Sequence, residues 1–83
     1  MKIGDIVGIR WVDAIVRDHA DSSTNLACPT AITYGKLVFQ CDGYVSVAAE
    51  EFLDLDTKGD LRQVTSIPTG MILESWSLQR KGR

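Results

Sequence analysis

The chain has 83 residues, 45% of them hydrophobic and 24% charged, which is the composition of one small globular domain. Its apolar runs are short, so no stretch reads as a membrane-spanning helix. Seven glycines and two prolines are too few for a fibrous or low-complexity chain.

Charge is distributed unevenly. The formal net charge is −2, yet Arg80, Lys81 and Arg83 supply three of the nine basic groups. Without them, residues 1–79 carry six basic and eleven acidic groups, a net of −5. Residues 42–60 hold six carboxylates against the single Lys58. A polyphosphate meets repulsion over such a body, which disfavours broad nucleic-acid binding. Residues 1–79 are expected to form the domain and 80–83 a solvated basic tail. Lys2 is followed by Ile3-Gly4-Asp5, an opening without the apolar core of an export signal, so the expectation is a cytoplasmic protein.

The first element is a strand near residues 5–16. Val7, Ile9, Trp11 and Ile15 fall on one face at period two, and Gly8, Arg10 and Ala14 on the other. Residues 17–30 are polar and punctuated by Pro29, which predicts a long loop with one helical turn begun at Ser22 or Ser23. Strands near 32–40 and 44–50 then flank Cys41-Asp42-Gly43. A three-residue loop with a left-handed Gly43 sets Phe39 opposite Val45 and Leu37 opposite Val47, gathering large apolar groups on one face. A two-residue loop sets Phe39 opposite Ser46 and Leu37 opposite Ala48. The hydrophobic pattern favours the former. An acidic loop at 50–60 precedes a strand near 61–67, with Leu61, Val64 and Ile67 as its inward positions. Ile67-Pro68-Thr69-Gly70 makes a tight connection, with a positive φ open to Gly70, into a last strand near 71–78. Leu37, Phe39, Val45, Val47 and Ile72 form the expected core. Five short strands without a helical period predict an all-β fold, a five-stranded antiparallel small barrel.

Chemistry-bearing motifs are few. His19, near Ser22 and Cys28, reads as a solvated loop histidine rather than a catalytic base. Asp54-Leu55-Asp56-Thr57-Lys58-Gly59 mimics half a calcium loop but has Lys58 at its fifth position and Thr65 at its twelfth, so no metal site is expected. Cys28 and Cys41 are expected to be free and mostly buried thiols. No phosphate loop or nucleophile elbow is present, and the expectation is a protein that is not an enzyme and carries no cofactor.

The block Gly35-Lys36-Leu37-Val38-Phe39, then Asp42-Gly43-Tyr44-Val45, then Ile67-Pro68-Thr69-Gly70-Met71-Ile72 resembles the Sm-like small barrels, relatives in shape of SH3-like barrels. Trp11-Val12-Asp13-Ala14, Gly35-Lys36-Leu37 and Ile67-Pro68 together also resemble short phage and prophage proteins that open on a tryptophan-x-aspartate-alanine element. The Sm pattern is broken where RNA would bind. Ser46 stands where that family has a base-contacting asparagine, Thr69 precedes Gly70 in place of arginine, and Asp42 lies one residue too far from Gly35. The resemblance therefore implies the barrel without the uridine site. It implies a phage-type protein in a bacterial host, with a small nucleotide-like molecule taken from a defence system as ligand. RNA binding and a virion-assembly or protein adaptor are the alternatives. Trp11, Asp13, Tyr34, Lys36, Tyr44, Thr69 and Gly70 are the candidate ligand residues. A chain this short buries only about 60–65% of its unfolded surface, so a homo-oligomer is expected. Its seam would form on Arg62, Val64 and Ser66 of the fourth strand with Ile72, Glu74 and Trp76 of the fifth.

Overall fold

In a computed structural model, residues 1–14, 18–52 and 59–78 are described. They form five strands in one antiparallel sheet: β1 Ile6–Val12, β2 Thr30–Gln40, β3 Tyr44–Glu51, β4 Leu61–Pro68 and β5 Ile72–Ser77. The order across the sheet is β4-β3-β2-β1-β5. The calcium-like motif, the far end of the predicted first strand and the basic tail lie wholly or largely outside the described residues. Among the described residues no helix is long and apolar enough to cross a membrane.

β4 and β5 stand at opposite edges, yet only the 3-10 turn Thr69–Met71 joins them. A flat sheet of five strands is about 19 Å wide. The four peptide steps from Pro68 to Ile72 reach about 14 Å at most. The sheet must therefore curl, and the curl closes its inner face around Val7, Ile9, Leu37, Val45, Val47 and Ile67. Trp11 and Ile72 pack against this cluster. No ladder joins β4 to β5 among the described residues, which leaves the sheet open along that seam.

The β2–β3 hairpin departs from the expected register for a clear reason. The turn itself is the two-residue one: the Cys41 N–H donates to the Tyr44 carbonyl at 3.0 Å, Gln40 pairs with Val45 and Phe39 with Ser46. Gly43 is not left-handed. A bulge at Val38 then shifts the ladder by one and restores Leu37 opposite Val47. The core pair forms as expected, but Phe39 is turned out. It is 46% exposed and lies 5.4 Å from the Tyr44 ring. Bulges change the face a side chain takes, and no hydrophobic pattern shows where one sits.

A second bulge does the same between β1 and β5. Ser77 and Ser75 oppose Val7 and Ile9, Leu73 is extra, and Ile72 reaches the inner face opposite Trp11. On β4, Ile67 is buried, while Leu61 and Val64 are exposed. Val64 is three residues from Ile67, so period two sets it on the outer face opposite Ala48. Leu61 lies at the strand end opposite Glu51, beyond the buried part of β3. Gln63 between them is left-handed at φ 53°. Gly70, by contrast, has no positive φ; Pro68 at φ −59° sets the turn. In the loop before β2 the predicted helical turn is absent. Asp21 heads the bend instead, accepting from the Ser23 hydroxyl at 2.7 Å and the Ser23 amide at 2.9 Å, and these bonds lower its pKa.

Two glycines are fixed by contact. A Cβ on Gly35 would sit 2.4 Å from the Ala48 carbonyl oxygen, and one on Gly8 would sit 2.5 Å from the Trp76 indole. Leu37→Ala empties a fully buried position and is expected to cost about 2–5 kcal/mol. Phe39→Ala removes a half-exposed ring from an aromatic pair and should cost only about 1 kcal/mol. Urea denaturation of the two variants checks the inverted ranking; equal losses would place Phe39 back in the core.

Candidate functional site

β1 runs out of the sheet at Val12, and β2 enters opposite it at Thr30. That pairing clamps the two ends of the long intervening loop together. The Asp13 N–H donates to the Pro29 carbonyl at 2.8 Å, which holds Asp13 and Ala14 beside Cys28. Across from them comes the end of β4 and its turn. Trp11, Asp13, Cys28, Ser66, Pro68 and Met71 line one cleft of about 360 Å³, completed by Val12 and Ala14. The cleft thus lies on the open side of the curled sheet. Its walls are largely apolar, and among the described residues Asp13 is the one charged group lining it.

Polar groups around the cleft are mostly engaged elsewhere. The Trp11 Nε1–H donates to Thr33 Oγ1 at 3.0 Å, so the indole offers the cleft its ring rather than its donor. Ser66 Oγ is 2.7 Å from Ser46 Oγ. Thr69 N–H donates to the Gly43 carbonyl at 2.9 Å, fastening the turn to the hairpin tip.

The candidate ligand residues divide among three places. Trp11 and Asp13 meet in the cleft, and Thr69 and Gly70 sit exposed in the adjoining turn without lining it. Tyr34 and Lys36 line a different hollow of about 430 Å³ on the outer face, where Lys36 Nζ bridges to Glu51 at 2.9 Å. Tyr44 stands at the hairpin tip against Phe39. One site for all seven does not exist among the described residues. Cys28, Pro68 and Met71 are cleft residues that the sequence reading did not assign to ligand binding. A signal for Cys28 was present in the strand pairing, because antiparallel strands joined by a long loop bring the loop's two ends together. Both cysteines are free as expected, but exposed rather than buried.

The seam candidates are also spread. Arg62, Val64 and Ser66 are exposed along β4, with the Arg62 guanidinium 5.1 Å over the Phe52 ring. Ile72 packs on the core. Glu74 pairs with Arg10 at 3.2 Å. Trp76 lies over Gly8 with its ring edge toward Tyr34, centroids 6.2 Å apart. Ser46, expected from the sequence resemblance to stand at a base-contacting position, is buried and bonded to Ser66. The exposed His19 and Ser22 form no hydrogen bond with Cys28.

Trp11→Phe keeps the ring and removes the bond to Thr33, leaving a half-buried hydroxyl without its donor. Thermal unfolding is expected to show a loss of about 1 kcal/mol. A loss near zero would mean that water replaces the indole there. A scan against family models finds no match for this chain, and neither the curated proteins nor the solved structures contain a match.

Proposed function

We propose that this protein is a non-enzymatic, homo-oligomeric binding protein of phage or mobile-element type. In this reading a barrel-like scaffold, Sm-like in its strand connections, holds a small nucleotide-like molecule and so withholds it from a host defence pathway. One observation carries the ligand site: the Trp11–Asp13 segment and the Pro68–Met71 turn, far apart in sequence, converge on a single apolar cleft. Trp11-Val12-Asp13-Ala14 and Ile67-Pro68 are two of the three elements through which the chain resembles short phage proteins; the third, Gly35-Lys36-Leu37, lies outside the cleft. At about 360 Å³ the cleft is of small-molecule size. The enclosed Ser46 speaks against RNA bound in the Sm manner.

The shortage of core supports oligomerisation. Seven apolar residues are buried, against fourteen large hydrophobic residues left exposed, among the described residues. The radius of gyration is 15.9 Å, where a compact chain of this length has about 12 Å. The open edge of β4 offers a strand-pairing surface, shortened by left-handed Gln63 at one end and Pro68 at the other. The usable stretch is Val64–Ile67.

Thermal shift against a panel of nucleosides, nucleotides and cyclic dinucleotides tests the ligand. A true ligand at one hundred times its dissociation constant stabilises by about 2.7 kcal/mol. A panel without a single shift, together with native mass spectra free of any bound small molecule, would sink the sequestration reading. Val64→Pro is expected to lower both the mass in solution and the melting temperature. A wild type that is monomeric at micromolar concentration, with a melting temperature independent of dilution, contradicts the oligomer.

A further inference from the structure

We infer that the Trp11–Asp13 cleft selects a planar molecule that brings hydrogen-bond donors, neutral or cationic, and turns phosphate away. The inference rests on reading this cleft as the ligand site. It specifies which end of a nucleotide-like molecule enters: the base, with any phosphate left outside.

The argument is a count of donors. An anion buried in a cleft needs N–H groups or a cation to replace its water. Here the Trp11 Nε1–H is engaged by Thr33, the Asp13 amide by the Pro29 carbonyl, and the Thr69 amide by the Gly43 carbonyl. Pro68 has no amide hydrogen to offer. The Ser66 hydroxyl shares one 2.7 Å hydrogen bond with the Ser46 hydroxyl, in which either oxygen can be the donor, so it is at most a single neutral donor to the cleft. Among the described residues, the remaining polar side chains of the lining are the weakly polar Cys28 thiol and the Asp13 carboxylate, and no basic residue lines the cleft. Among the described residues a phosphate would face a carboxylate with no counter-charge in the lining, in a domain whose first 79 residues carry a net of −5.

A flat ring bearing N–H groups meets the opposite situation. Its face packs on the Trp11 indole, Pro68 and the Met71 thioether, which suit aromatic contact. Its N–H edge donates to the Asp13 carboxylate in a charge-assisted bond, stronger than a neutral one. An amino-substituted nucleobase has this shape, and so does an aromatic amidine.

Benzamidine and benzoate share a ring and differ in the sign of the group they present, so they test the inference directly. Binding is read from tryptophan fluorescence and calorimetry on the intact protein. Benzamidine is expected to bind at least tenfold tighter than benzoate, and adenosine tighter than adenosine monophosphate. Asp13→Asn, which preserves shape and removes charge, should weaken benzamidine at least tenfold while leaving the circular dichroism spectrum and melting temperature unchanged. Benzoate binding as tightly as benzamidine, or an Asp13→Asn variant with undiminished benzamidine affinity, overturns the selectivity. If Asp13→Asn proves unfolded, the wild-type comparison of adenosine with its monophosphate decides alone. If no probe binds, the cleft itself is not a ligand site and the underlying reading fails with it.

Discussion

Three residues tie together strands that lie at opposite edges of a five-stranded sheet, and most of this structure follows from that tether. Thr69–Met71 is too short to cross a flat sheet, so β4 and β5 must approach one another as the sheet rolls. Rolling gives β1, β2 and β3 a common inner face, where Val7, Ile9, Leu37 and Val47 become fully buried. It also leaves a seam, because the two edges approach without forming a ladder. The cleft opens at the end of that seam where the tether lies. Core and candidate site are two outcomes of one topological constraint.

The same constraint curls the sheet toward a barrel without closing it, and it does not by itself supply any binding chemistry. Strand order and a short 3-10 link are properties of backbone connection, whereas recognition depends on particular side chains. Ser46, the position the sequence resemblance singles out for RNA contact, is bonded to Ser66 and closed off from solvent. What the fold presents in its place is a largely apolar cleft whose one charged lining group, among the described residues, is the Asp13 carboxylate. That is a chemical difference of kind from a phosphate-binding surface, and it agrees with the acidity of the body.

The sequence revealed strands well and faces less well. Period-two alternation in Val7, Ile9 and Trp11 was legible because nothing interrupts β1 over those residues. Phe39 was misplaced because the bulge at Val38 reverses its direction, and a bulge leaves no mark in a hydrophobic pattern. Val64 was misplaced because it lies three residues from buried Ile67 and so on the opposite face, and Leu61 because it sits at the strand end opposite Glu51, past the core. At the site, Trp11 and Asp13 stood out through motif resemblance, but Tyr34, Lys36 and Tyr44 were grouped with them on residue type alone. They lie elsewhere because grouping residues across strands requires the register and the curl, which depend on long-range contacts. Met71 and Pro68 entered the cleft through the tether, a feature that becomes meaningful only once β4 and β5 are known to be opposite edges.

The most direct test of the cleft as a ligand site uses the two indole N–H signals that the two tryptophans give in a proton–nitrogen correlation spectrum. Trp11 lines the cleft, while Trp76 lies over Gly8 on the outer face. Titration with benzamidine is expected to move the Trp11 indole signal together with the backbone amides of Asp13, Ser66 and Met71, and to leave the Trp76 indole, Tyr34 and Lys36 in place. Shifts centred on Trp76, Tyr34 and Lys36, with Trp11 unmoved, would put the binding surface on the outer face and contradict the account.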